Sequence, residues 1–134
     1  MKKASILIIV AVVASLVLAA CGGSGSGGGA TIDVTLNEFS FAPNAWTVTA
    51  GQQVTLNLKN AGTVTHDLTI MKTPISGSFT DADKANVIWA SDMIPAGQSK
   101  TQTFTAPTTP GTYQVICTES GHFEAGMTGT LTVK

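Results

Sequence analysis

From Ile32 onward apolar residues alternate with polar ones: Ile32, Val34 and Leu36, then Trp46, Val48 and Ala50, then Val54, Leu56 and Leu58. The same period of two returns at His66, Leu68 and Ile70, at Tyr113, Val115 and Cys117, and at Met127, Gly129, Leu131 and Val133. Successive side chains of a strand point to opposite faces, so these Thr- and Val-rich runs predict half-buried β-strands. Turn signals separate them at Pro43-Asn44, Ala50-Gly51-Gln52, Asn60-Ala61-Gly62, Pro95-Ala96-Gly97 and Thr109-Pro110-Gly111. Short strands at regular spacing predict an all-β fold, a Greek-key antiparallel β-sandwich. The longest break in the pattern is Pro74 to Val87, PISGSFTDADKANV, where Asp81 is placed to cap a helical turn running through Asp83 to Ala85.

The first residues follow a different pattern. Lys2 and Lys3 precede an apolar run from Ile6 to Ala20 and then Cys21. A basic start, a short apolar stretch and small residues at the end describe a secretory signal. The run falls just short of the roughly 20 residues that a membrane span prefers. Leu18-Ala19-Ala20-Cys21 resembles the lipobox of bacterial lipoproteins, which implies that Cys21 carries lipid and becomes the mature N-terminus. Gly22 to Ala30, GGSGSGGGA, has no side chain able to bury apolar area and reads as a flexible tether with a reach of roughly 15–18 Å. The expected organisation is a lipoprotein signal peptide over 1–20, a lipidated cysteine and tether over 21–30, and one folded domain over 31–134. The protein is then exported and lipid-anchored to the cell membrane, facing the periplasm or the extracellular side.

Charge narrows the partners. The sequence has 7 basic and 8 acidic residues, and loss of Lys2 and Lys3 leaves a mildly acidic chain with no basic cluster, which argues against nucleic acid as a partner. One acidic domain of this size is expected to be a monomer. If Cys21 is lipidated, Cys117 has no disulfide partner in an oxidising compartment, so it must be buried or metal-bound.

The chemistry concentrates in CTESGHFEAGM, where Cys117, His122 and Met127 follow at equal steps. One thiolate, two imidazoles and a distant thioether are the ligand set of a blue-copper centre. The chain has 2 histidines, so the second is His66, and the candidate metal ligands are His66, Cys117, His122 and Met127. Cys117, Met127 and His66 share strand parity with apolar core residues, while Met71 has the opposite parity to His66 and Met93 lies in a turn-like SDMIPAGQS. Zinc suits the same donors. A binuclear copper centre is excluded, since the metal loop has no second Cys.

The segment GTYQVICTESGHFEAGMTGTLTV, Gly111 to Val133, resembles the C-terminal end of the cupredoxins, the plastocyanin and azurin superfamily. Its Cys-x4-His-x4-Met spacing is similar to that of the auracyanin and rusticyanin group. The resemblance implies one type 1 copper per chain, no enzyme activity, and electron transfer to redox protein partners docking near His122. It implies that the far edge of the His122 ring emerges through an apolar patch, with Phe123, Ala125 and Gly126 beside it and Ala42 and Pro43 as contributors. Glu119 and Glu124 flank that edge. Asp67 stands where many cupredoxins have Asn, with the implied role of bonding across to the Cys-bearing loop, and Ser120 where azurin-like loops often carry Pro. The alternative is a periplasmic or extracellular copper-binding carrier without an electron-transfer role; a metal-free adhesion domain is the third possibility.

Overall fold

A computed structural model describes residues 28–134. The expected signal peptide over 1–20, Cys21 and the expected tether as far as residue 27 lie outside the described residues. The strands are β1 (Ala30–Asn37), β2 (Ser40–Ala42), β3 (Ala45–Val48), β4 (Gln53–Asn60), β5 (Thr69–Met71), β6 (Val87–Ala90), β7 (Ser99–Thr105), β8 (Gly111–Ile116) and β9 (Thr128–Val133). They form two layers: a four-stranded sheet in the order β2-β1-β4-β7 and a five-stranded sheet in the order β3-β9-β8-β5-β6.

The expected sandwich is present, with one difference in its pairing. β1 runs parallel to β4 and β3 runs parallel to β9, so both sheets are mixed. The chain leaves β2 in one sheet and enters β3 in the other, and each N-terminal strand settles beside a later strand of the same direction. Alternation of apolar residues fixes which face a strand buries but not the direction of its neighbour. Ala30 is already paired with Val54, and the Gly28 carbonyl accepts a bond from Gln52 Nε2 at 2.7 Å, so the sheet begins inside the glycine-rich tract.

Inward residues of the two sheets meet as period two requires. Val34, Leu36, Val54, Leu56, Leu58 and Phe104 face Trp46, Val48, Leu68, Ile70, Val115, Leu131 and Val133 in one buried cluster. Burying each such Val, Leu, Ile or Phe contributes about 1.5–3 kcal/mol. The five-stranded sheet is buried on both faces where β5 and β8 meet, since Met71 and Ile116 on the outer side are as inaccessible as Ile70 and Val115 on the inner. Over that outer side lies the break in the strand pattern. The Gln114 side chain accepts from the Ile75 N–H at 2.9 Å and donates to the Ile75 carbonyl at 3.1 Å, fastening the excursion to β8.

The excursion contains a short 3-10 helix, Asp81–Asn86, and its cap is Thr80 rather than Asp81. The Thr80 N–H and hydroxyl both donate to Asp83 Oδ2, at 2.8 and 2.7 Å, while Asp81 turns outward to an exposed ion pair with Lys84. A hydroxyl three residues before a carboxylate satisfies both ends of the capping box, an arrangement that a lone Asp at the next position does not offer.

Gly129 tests the packing of β9 against its neighbour β3 in the five-stranded sheet. A Cβ there would lie 2.8 Å from the Asn44 carbonyl oxygen and 3.0 Å from the Trp46 ring. Gly129→Ala is expected to destabilise the domain by roughly 1–3 kcal/mol, read as a lower denaturation midpoint at an unchanged slope.

Candidate metal centre

Each candidate ligand is set in place by backbone. His66 exchanges two hydrogen bonds with Ile94, its N–H to the Ile94 carbonyl at 3.2 Å and the Ile94 N–H to its own carbonyl at 2.8 Å. The loop before it folds around the buried Asn60, whose amide nitrogen donates to the carbonyls of Val64 and Ile94, both at 2.7 Å, and whose oxygen accepts from the Gly62 N–H at 2.8 Å. Cys117 follows the last residue of β8 and keeps the inward parity of Val115. Its N–H donates to the Met127 carbonyl at 3.2 Å, and the Met127 N–H donates to the His122 carbonyl at 2.9 Å, so the loop closes on itself. Gly121 and Gly126 take the left-handed conformation, φ 81° and 101°, and frame the turn that carries His122. The loop is braced by these turn bonds, with Ser120 exposed at its edge.

Three donor atoms converge. His66 Nδ1 lies 3.1 Å from His122 Nδ1 and 3.8 Å from Cys117 Sγ, and Sγ lies 3.7 Å from His122 Nδ1. His66 and Cys117 are fully buried and His122 is 7% exposed. In the plane of this triangle, a point about 2.0 Å from both nitrogens lies about 2.2 Å from the sulfur, close to the ~2.0–2.1 Å and ~2.3 Å that a metal takes to imidazole and thiolate. The donor set therefore fits a small, borderline-soft cation. Met127 is fully buried at the head of β9, on the core face that Gly129, Leu131 and Val133 continue.

Electrostatics agree with that fit. Burial, and next the Asp67 carboxylate, push the Cys117 thiol up to about 12, so without metal the sulfur keeps its proton. Burial, and next the neighbouring His122, hold the His66 imidazole below its ordinary value. A cation entering the triangle must displace the thiol proton, and its own charge is what stabilises the thiolate.

Asp67 makes the bond across to the Cys-bearing loop. It accepts from the Thr118 N–H at 2.6 Å through Oδ1, and from the hydroxyls of Thr118 and Thr69 at 2.9 and 2.8 Å through Oδ2. The aromatic ring against His122 belongs to Phe39, edge-on with centroids 5.2 Å apart, and Phe39 is half exposed. Ala42 and Pro43 are exposed. Glu124 is exposed and drawn below the ordinary carboxylate range by the Ser78 hydroxyl, and Glu119 is partly buried with its carbonyl accepting the His122 N–H at 3.0 Å. Phe39 and Asn60 escape a sequence reading. Asn60 reads as one more turn residue, and only its position at the end of an inward-facing strand hints at a buried amide.

A sequence model described as "Copper binding proteins, plastocyanin/azurin family" matches residues 29–134. The chain belongs to that family. Copper is therefore the cofactor, and the chain stands among copper-binding electron-transfer proteins rather than enzymes. Auracyanin-A of Chloroflexus aurantiacus is 33% identical over 72% of this chain and 68% of its own length. Auracyanin-B of the same organism is 51% identical over 38% of this chain, a stretch that spans only 21% of that relative. Among solved structures, dithionite-reduced auracyanin from the photosynthetic bacterium Roseiflexus castenholzii superposes with a TM-score of 0.67 at 34% identity, covering 80% of this chain and 99% of that one. Auracyanin A, described as a blue copper protein, gives 0.68 at 32% identity, covering 80% and 100%. Reduced rusticyanin, at 21% identity and a TM-score of 0.59 over 80% of this chain and 81% of that one, shares the fold.

The His66 environment carries a pH signature in the metal-free protein. The unfolded chain protonates this imidazole near its ordinary value of about 6.5, whereas the folded chain resists protonation. The unfolded state then binds more protons, so stability is retained above pH 6.5 and lost as pH falls below it, by up to about 1.4 kcal/mol per pH unit for one proton. Denaturation midpoints between pH 7.5 and 5.5 should fall accordingly in the apoprotein, and His66→Gln should flatten the slope.

Proposed function

We propose that His66, Cys117, His122 and Met127 would hold one copper ion, and that the protein passes single electrons between redox partners. The observation that carries this reading is the buried triangle of two Nδ1 atoms and one Sγ, with sides of 3.1, 3.7 and 3.8 Å. Copper bound there would supply one-electron chemistry, alternating between Cu(II) and Cu(I). Everything else belongs to the chain. Cys117 gives up its proton and provides the strongest donor. His66 and His122 are oriented by separate backbone anchors, so the same geometry serves both oxidation states and little has to move when an electron arrives. Met127 tunes the potential more than it secures the metal.

Electrons would enter and leave at His122, the least buried of the three, where Phe39 and Phe123 make the surface apolar and Glu119 and Glu124 orient a basic partner. The blue copper description of auracyanin A supports this reading. We place the protein on the outer side of a membrane, exported by residues 1–20, anchored through lipid on Cys21 and tethered through the glycine-rich tract, as a monomer with no nucleic-acid partner.

Loaded with Cu(II), the full chain should show an intense visible thiolate-to-copper band and narrow EPR hyperfine splitting, both bleached reversibly by a reductant. Cys117→Ser should abolish the band, whereas Met127→Leu should keep it and change the reduction potential. Asp67→Asn retains an oxygen for the Thr118 N–H but removes a negative charge near the sulfur, so the potential should rise, a tenfold change in relative Cu(II) and Cu(I) affinity being about 59 mV. A colourless product would transfer the protein to the carrier reading.

The anchor is tested separately. Cys21→Ser should abolish incorporation of labelled fatty acid and release the protein from the membrane fraction; labelling that persists in the variant would refute lipidation at this residue.

A further inference from the structure

We infer that Glu38 is a positioning residue for the metal centre, its carboxylate being the acceptor to which His66 presents its outer ring nitrogen when Nδ1 takes the metal. The inference rests on the copper reading above and starts from the His66 ring. Its Nδ1 faces His122 Nδ1 and Cys117 Sγ at 3.1 and 3.8 Å, so Nε2 points away from the triangle. A neutral imidazole that coordinates through Nδ1 must carry its proton on Nε2, which makes that atom a donor. Nε2 is buried and has no hydrogen-bond partner among the described residues. A buried donor left unpaired is rare and needs an account.

The group facing it is Glu38 Oε1, 3.9 Å away. Glu38 and Phe39 form the two-residue loop between β1 and β2, where Asn37 pairs with Ser40. This one loop thus serves both histidines, Phe39 lying against His122 and Glu38 behind His66. The carboxylate is already aimed, because the Thr63 N–H and hydroxyl both donate to the same Oε1, the hydroxyl at 3.0 Å. Thr63 lies in the loop that Asn60 folds and that leads into His66.

Gly62 leaves the passage between them open. A Cβ at this position would lie 2.5 Å from Glu38 Oε1 and 2.6 Å from His66 Nε2, so any other residue would wedge the two apart. A closure of roughly 1 Å, within reach of a small ring rotation, brings the pair to hydrogen-bonding distance. A carboxylate bonded behind a ligating imidazole fixes the ring's tautomer and orientation and raises its basicity. Negative charge on that side also favours Cu(II) over Cu(I).

The competing role for Glu38 is purely structural, a staple holding the Thr63 loop, and the test separates the two. In the copper-loaded full chain, reduced to diamagnetic Cu(I), nitrogen-edited NMR should show the His66 Nε2 proton downfield and slow to exchange. Glu38→Gln should move that proton upfield, speed its exchange, and weaken Cu(II) relative to Cu(I) by tenfold or more, a rise of about 59 mV or more in potential. Gly62→Ala, with the charge intact, should move the same proton in the same direction. Glu38→Gln with proton and potential at wild-type values overturns the inference, whatever happens to stability; if that variant does not fold, Gly62→Ala decides on the same proton. A wild-type chain without a thiolate–copper band overturns the copper reading and this inference together, whereas a normal band with an indifferent Glu38 overturns the inference alone.

Discussion

Two imidazole nitrogens and a thiol sulfur face one another within 4 Å in the interior, and in the metal-free protein no opposite charge draws them together. Polar groups taken out of water in this way are costly unless they find partners. Their convergence must therefore be imposed by the rest of the fold. The constraint is met by tying each donor to a different element: His66 to Ile94 across a two-bond bridge, Cys117 to the end of β8, and His122 to a turn whose closure lies between Cys117 and Met127. Asp67 then joins the two halves, since it follows His66 in sequence and accepts both donors of Thr118, which follows Cys117. The frustration among the donors and the rigidity around them are one design, relieved when a cation enters.

Much of this arrangement is legible in the sequence because strand parity is a local property. Val115 and Cys117, or His66 and Leu68, share a face whatever lies beside them, so the inward aim of the ligands follows from counting by twos. The bond from Asp67 to the Cys117 loop is likewise legible through the family's pattern. What sequence does not show is choice between distant partners. The parallel pairing of β1 with β4 and of β3 with β9 depends on which sheet each N-terminal strand joins, and period two is silent on that. Asn60 reads as a turn residue, yet its amide organises the loop before His66. Phe39 and Glu38 sit in a hairpin loop like any other until that loop is seen to abut both histidines. At Thr80 a local rule applies, a hydroxyl three residues before Asp83, and the adjacent Asp81 competes with it as a cap in sequence alone.

Phe39 also shows what the site demands of its neighbours. It is a non-glycine residue in the left-handed region, φ 62°, a conformation that bulky side chains seldom adopt. Such strain persists only where surrounding structure determines it. Here the two-residue loop must turn Glu38 toward the Thr63 loop and the next side chain over His122, and the backbone of Phe39 absorbs the difference. The aromatic ring leaves His122 only slightly accessible, which keeps the surroundings of the metal apolar while leaving an edge for contact.

The same anchoring bears on the choice between carrying electrons and carrying copper. A carrier must release its ion, which favours ligands on mobile, exposed segments that can leave one at a time. Here His66 comes from one segment and Cys117, His122 and Met127 from another, both held by backbone hydrogen bonds, and Cys117 and Met127 are fully buried. Removing the ion would require the His122 turn to open against the Met127 bond. Under the proposed function, passing an electron needs no such opening, since charge would leave through the ring edge while every ligand stays where it is. On that reading the architecture separates the path of the electron from the path of the ion, and it leaves the second obstructed.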